Sequence, residues 1–254
     1  MRDRVDFVLV RPQHPGNIGA AARALKTMGF SRLVLVAPLA DPCDPTAIAR
    51  ASGATDLLAQ ARVVDTLDAA LADTVFAAAF TARSREYVVD FRTPETLSQE
   101  VRALLEDNPA VRVALVFGNE AHGLRNDEVW RCSVPVAIPA NPEYSSLNLA
   151  AAVQIAAYVL AQRLSDADGA RSLPVAVVPD PDTVPCTLAE IEGVVAHFLE
   201  VAAAIDFYDP KTPKRLEARL RRWLQRSRLE RAEANILRGF LKACARRLNE
   251  NQTV

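Results

Sequence analysis

The stretch IPANPEYSSLNLAAAV, Ile138–Val153, reads as a strand end, a tight loop and a helix start. Ser145 and Ser146 stand where a hydroxyl can accept from the free amides of a first helical turn. The helix that follows, LNLAAAVQIAAYVLAQRL, is apolar nearly all round, so it belongs in an interior. Its alanines permit close approach of a second backbone. The apolar run Leu147–Ala161 contains Asn148 and Gln154 and falls short of the ~20 residues that span a bilayer.

Outward from this helix, short apolar runs alternate with helical patterns. Asp6–Val10, Leu33–Val36, Val75–Phe80, Val111–Phe117 and Val134–Ile138 read as strands, apolar on both faces as buried parallel strands are. Helical stretches lie near residues 18–28, 44–51, 67–72 and 96–106. The alternation predicts an α/β domain over residues 1–164, its parallel sheet covered on both sides.

Beyond it, Pro174, Pro179, Pro181 and Pro185 mark residues 165–186 as a linker. Thr187 and Glu190 form a capping box that opens a helix to about Ile205. Thr212 and Pro213 read as the cap and first position of a second helix. Leu216, Leu220, Trp223 and Leu224 make its apolar stripe, leaving Arg215, Arg219, Arg222 and Arg226 off it. A third helix is expected from about Leu229 to Leu248. Residues 187–254 are therefore a small all-helical domain.

Charge separates the two parts. The chain of 254 residues has a formal net charge of −1, yet Lys211–Arg247 holds thirteen Lys and Arg against three Glu. A block of +10 on an otherwise acidic chain is a candidate phosphate-binding surface. The cysteines at 43, 132, 186 and 244 have neither metal-ligand nor redox spacing, and no signal peptide precedes them. They read as free thiols of a soluble, cytoplasmic protein without metal or membrane.

Chemistry concentrates in three segments, each where a strand gives way to a loop: HPGNIGAAARALKTMGF (14–30), LVFGNEAHGL (115–124) and the opening stretch. Open α/β sheets collect ligands at such strand ends. Gly16-x-x-Gly19 lacks the full spacing of a dinucleotide loop, and no phosphate-cradling G-x-x-x-x-G-K-[ST] exists. His14, His122 and His197 show no metal-ligand pattern.

Taken in order, the three segments resemble the motifs of the SpoU family of the SPOUT methyltransferases. The matching elements are Asn17 with Arg23, then Phe117-Gly118-Asn119-Glu120 with Gly123-Leu124, then Ile138-Pro139 with Ser145 through Ala150. The likeness covers about residues 5–164. It is closest to the bacterial TrmJ-type tRNA ribose methyltransferases, whose signatures Asn141–Ala150 and Asn235–Gly239 are similar to. The resemblance implies a deep trefoil knot, against the general avoidance of knots. It implies S-adenosylmethionine as cofactor, held at Thr81, Ala82, Gly118, Ile138, Ser145, Ser146 and Leu147. It implies Arg23, Asn17, Glu120, Ser146 and Asn148 as catalytic residues. A guanidinium stays protonated, so Arg23 suits charge stabilisation or phosphate anchoring better than proton removal.

The expected activity is 2′-O-methylation of tRNA at nucleotide 32 of the anticodon loop. The alternatives are a Rossmann-like oxidoreductase and a non-catalytic RNA-binding protein with a methyltransferase shell. A homodimer through the knot region is also expected. A sheet covers only one side of an all-apolar helix, so the other side, with Ala157 on its alanine-rich surface, needs a partner.

Overall fold

The computed structural model describes residues 1–82, 91–165, 184–212 and 215–251. They form two compact units, Met1–Val175 and Ala176–Val254, whose boundary falls in the proline-marked stretch. Most of that expected linker, residues 166–183, lies outside the described residues.

The first unit is a six-stranded, wholly parallel sheet: β1 (Val5–Val10), β2 (Leu33–Val36), β3 (Arg62–Val64), β4 (Phe76–Phe80), β5 (Val113–Phe117) and β6 (Val134–Val136). β1, β2, β4 and β5 are buried along their whole length, which accounts for their unbroken apolar runs. β3 is not among the expected strands. Its sequence, Arg-Val-Val, sits at the sheet edge with Val63 exposed, so it carries no buried-strand signal. β6 stops at Val136, short of the expected Ile138, and Pro135 is tolerated because β6 is the opposite edge.

The strand order is β3-β2-β1-β5-β4-β6. A dinucleotide-binding sheet runs 3-2-1-4-5-6, so here the fourth and fifth strands have exchanged places. This order separates the fold from the oxidoreductase alternative. The pattern of apolar runs contains no information about it.

Helices α1 (Pro15–Thr27), α2 (Pro45–Ala51), α3 (Thr55–Ala59), α4 (Leu67–Leu71), α5 (Pro94–Asp107), α6 (Asn126–Arg131) and α7 (Leu149–Arg163) complete the unit. Asp44 caps α2 and Thr93 caps α5, each followed by proline at the first position. α3 and α6 are too short to show a periodic signal in the sequence. Gly19 has a steric role rather than a cofactor role: a Cβ there would lie 2.0 Å from the Ala47 carbonyl oxygen, where α1 crosses α2. Phe7, Phe80 and Phe117 stack along one face of the sheet, with centroids 4.5 Å apart for the Phe80–Phe117 pair.

α7 packs against α1 and α5, burying Val153, Ala156, Ala157, Leu160 and Ala161. Two expectations fail here. The cap of α7 is Asn148, whose Oδ1 accepts from the amides of Ala150 (2.9 Å) and Ala151 (3.3 Å); Ser145 and Ser146 lie too early in the chain. Ala157 is wholly buried against the core, and the open face of α7 instead carries Ala151, Tyr158 and Gln162.

The second unit contains α8 (Leu188–Ala204), α9 (Leu216–Arg226) and α10 (Arg231–Asn251), with α8 packed on both others. The Thr187–Glu190 capping box forms, with amide contacts of 2.7 and 3.2 Å. α9 begins at Leu216, not at the expected Thr212-Pro213. Thr212 instead closes a turn on Asp209, and Pro213 lies outside the described residues. Leu220 and Leu224 are buried as expected, whereas Trp223 points to solvent. Arg221 takes the buried place, paired with Glu192 and Glu217.

Candidate active site

The site is assembled at the carboxyl ends of β1, β4, β5 and β6. β1 is followed by Arg11, whose backbone turns through φ +50° and whose guanidinium grips the buried Glu128 carboxylate of α6. Burial pushes Glu128 up, but the bonds from Arg11 and the Arg125 amide outweigh it and hold the carboxyl below its ordinary value. This pair fixes the direction in which the chain leaves the sheet toward α1.

α1 opens on Pro15 without a side-chain cap of its own. Glu120, in the loop after β5, supplies the missing acceptors. Its carboxylate takes the amides of Gln13 (2.9 Å) and His14 (3.2 Å) and the Asn17 side-chain Nδ2 (2.9 Å). An anion beside a helix N-terminus also suits the helix dipole. Partial burial raises the Glu120 carboxyl, yet the donors from Asn17, Gln13 and His14 prevail and keep it below its usual range. Glu120 is therefore ionised and fully engaged.

The network continues. Asn148 donates its Nδ2 to Asn17 Oδ1 at 2.9 Å, while its own Oδ1 caps α7. Because an ionised carboxylate only accepts, Asn17 must turn its NH₂ to Glu120 and its oxygen to Asn148. Asn148 must then turn its oxygen to α7. One directed chain, α7 amides to Asn148 to Asn17 to Glu120, thus ties the three sequence segments together.

Beside this chain lies a cleft of about 150 Å³, open to solvent. Thr81, Ala82, Gly118, Ile138, Ser145, Ser146 and Leu147, the seven positions expected to hold the cofactor, all line it, as does Glu120. Sequence reasoning missed the apolar walls Phe80, Phe117, Leu149 and Ala152, which look like ordinary core in the sequence, and His122, which has no pattern around it. Asn119 holds the loop's shape, accepting from the His122 amide at 2.7 Å. Gly118 is required for packing: a Cβ there would fall 2.0 Å from the Gly123 carbonyl carbon. Gly123, at φ +66°, makes the return turn.

Arg23 does not join the cleft. It is exposed on α1, about 9 Å of helix rise beyond Asn17 and on another face. Its guanidinium has no partner among the described residues, and its separation from the other four expected catalytic residues leaves no trace in the sequence. No Lys or Arg among the described residues lines the cleft, whose one full charge is the Glu120 anion. That lining suits a cationic nucleoside such as S-adenosylmethionine and is ill-suited to a pyrophosphate. Among the described residues no group of His, Cys, Asp and Glu could hold a metal ion, and no helix is long and apolar enough to cross a membrane.

Comparison with known proteins agrees with this geometry. Residues 4–158 match the SpoU rRNA Methylase family, and residues 189–253 match the TrmJ C-terminal domain of tRNA methyltransferases. A curated relative from Pseudomonas aeruginosa (strain UCBPP-PA14), the tRNA (cytidine/uridine/adenosine-2′-O-)-methyltransferase TrmJ, is 44% identical over 95% of this chain and 93% of its own. The crystal structure of TrmJ from Z. mobilis ZM4 is 32% identical, superposes with a TM-score of 0.77, and covers 94% of this chain and 97% of its own. A structure concerned with 2-OH methylation of C/U34 on tRNA is 26% identical, with a TM-score of 0.50, covering 65% of this chain and 98% of its own. The chain belongs to the SpoU rRNA methylase family, and its second unit is a TrmJ-type C-terminal domain.

Proposed function

We propose that the protein is an S-adenosylmethionine-dependent tRNA ribose 2′-O-methyltransferase, acting as a cytoplasmic homodimer with the trefoil knot of its family. The observation that carries the reading is the cleft itself. Seven loop positions from three strand ends converge on a pocket without basic side chains among the described residues, beside the Glu120–Asn17–Asn148 chain.

In this reading backbone groups of the cleft loops take the adenine edge, and Gly118, Ile138 and Leu147 with Thr81, Ala82, Ser145 and Ser146, all of which line the cleft, form the cradle. Bound there, S-adenosylmethionine supplies an electrophilic methyl group. The chain's part is positioning. Glu120, whose carboxylate oxygens are taken up by three donors, serves as a brace: it holds Asn17, and Asn17 with Asn148 sets the wall on which the ribose rests. Ser146, exposed at the rim, offers a hydroxyl to the ribose. Arg23 acts from the second copy, stabilising the developing alkoxide or holding the adjacent phosphate. Its exposure in one chain and the half-open apolar face of α7 both support a two-fold partner. Arg23→Ala is expected to abolish turnover while leaving S-adenosylmethionine affinity, by calorimetry, within a few-fold. A collapse of cofactor binding would contradict this role.

The proposed target is nucleotide 32. The second reading, nucleotide 34, draws on the structural neighbour described for C/U34. That neighbour is almost fully matched by 65% of this chain and so has no counterpart to a large part of it. The extra basic unit supports a different docking of the tRNA. Mass mapping of ribose methylation in tRNA from a strain lacking the gene tests this. Loss at 32 alone is expected, and loss at 34 with 32 intact would overturn it.

A further inference from the structure

Trp223 is the unabsorbed feature of the second unit. α9 packs inward through Leu220 and Leu224, and Trp223 is 54% exposed on the opposite side. Side chains three and four positions apart share a helix face. Arg219 therefore lies one turn before the indole and Arg226 one turn after it, both exposed, over about 10 Å of helix rise. Neither arginine has a carboxylate partner among the described residues. The acid of α9, Glu217, is turned toward the buried Arg221. The outward face of α9 thus carries an Arg–Trp–Arg ridge, with Arg222 next to it in sequence and no acid of α9 itself on that side.

We propose that this ridge is a stacking platform for an unpaired nucleobase of the tRNA substrate, with Arg219 and Arg226 on the flanking phosphates. The proposal rests on the tRNA reading above. Charge complementarity selects the occupant: one large aromatic ringed by arginines suits a polyanion with exposed bases, whereas a protein partner of apolar surface would leave those charges unpaired. Stacking on an indole tolerates any base, so the platform sets affinity while the cleft sets chemistry.

The test uses the full chain and bulk tRNA. Trp223→Ala is expected to weaken tRNA binding at least about fivefold, with Trp223→Phe recovering most of the loss. The salt dependence should stay that of the wild type in both, because no phosphate contact is removed. Arg219→Gln with Arg226→Gln should instead lower the salt slope by about 1.4 to 1.8, two phosphates' worth. Turnover at saturating tRNA and S-adenosylmethionine affinity should be unchanged in every variant. The chain's two tryptophans are Trp130 and Trp223, so in a Trp130→Phe background the quenching of indole emission by tRNA reports on Trp223 directly. Wild-type affinity in Trp223→Ala, or an unquenched indole in a complex that still forms, would overturn the platform alone. A shift of Trp223→Ala to a smaller oligomer would also overturn it, assigning the face to a second copy. A wild type that neither binds nor methylates tRNA would overturn the substrate reading, and the platform with it.

Discussion

Asn148→Asp separates the two jobs that Asn148 performs. In the wild type its Oδ1 caps α7 and its Nδ2 donates to Asn17. Aspartate caps a helix as well as asparagine, and its charge beside the helix N-terminus adds about 0.3–1 kcal/mol. Against this stands the lost bond to Asn17, about 0.5–1.5 kcal/mol. The two nearly cancel, so stability should stay within about 1 kcal/mol of the wild type. Asn148→Ala loses the cap as well, a further ~1 kcal/mol, and should unfold earlier. Activity should separate the variants differently. A carboxylate at position 148 cannot donate, and Asn17 cannot flip, because its carbonyl would then face the Glu120 anion. The pocket wall loses its register, and turnover should fall about a hundredfold, the scale of a small misplacement. Glu120→Gln supplies a donor at the other end, which lets Asn17 reverse and give its NH₂ to the new carboxylate. The double variant should therefore be more active than the product of the singles, by a coupling of about 1 kcal/mol, roughly fivefold. Thermal unfolding beside single-turnover methyl transfer gives both readouts. Full activity in Asn148→Asp, or strict additivity in the double variant, would refute the directed chain.

Three further outcomes follow from the same geometry. Gly118→Ala should push the Asn119–Gly123 turn out of place, cost about 1–3 kcal/mol and cut S-adenosylmethionine affinity at least about tenfold, read by calorimetry. Tyr158→Arg, on the open face of α7, should give folded, inactive monomers by sedimentation, and an active dimer would exclude that face as the interface. Glu120 and Glu128 both have depressed folded-state pKa values, so their stabilisation is complete above the ordinary 4.5 and is lost as pH falls through the lower folded values. The acid-side loss of stability should be shallower in Glu120→Gln.

The strands of the central sheet are legible in the sequence because they are buried on both faces, and Phe76–Phe80 and Val113–Phe117 could scarcely be read otherwise. Edge strand β3 and short helix α6 escape, since three or six residues show no period. The exchange of β4 and β5 in the sheet order escapes for a different reason: it is a long-range pairing with no local trace. The loop residues of the cleft are found through their motif context, while the apolar wall of Phe80 and Phe117 is hidden among core residues of identical type. Trp223 and Ala157 are misplaced by the same reasoning, which equates an apolar side chain near a stripe with burial, or an alanine-rich helix with a free surface. Packing against α1 and α5 decides Ala157, and the Arg221 ion pairs with Glu192 and Glu217 decide which side of α9 faces inward.

The most direct measurement is methyl transfer from isotope-labelled S-adenosylmethionine to unmodified tRNA by the purified full chain, followed by nucleoside mass analysis. Label is expected in a 2′-O-methylated ribonucleoside, at one position of the tRNA and strongly reduced with Asn148→Asp. Label on a base, or no transfer by a chain that binds both cofactor and tRNA, would contradict it.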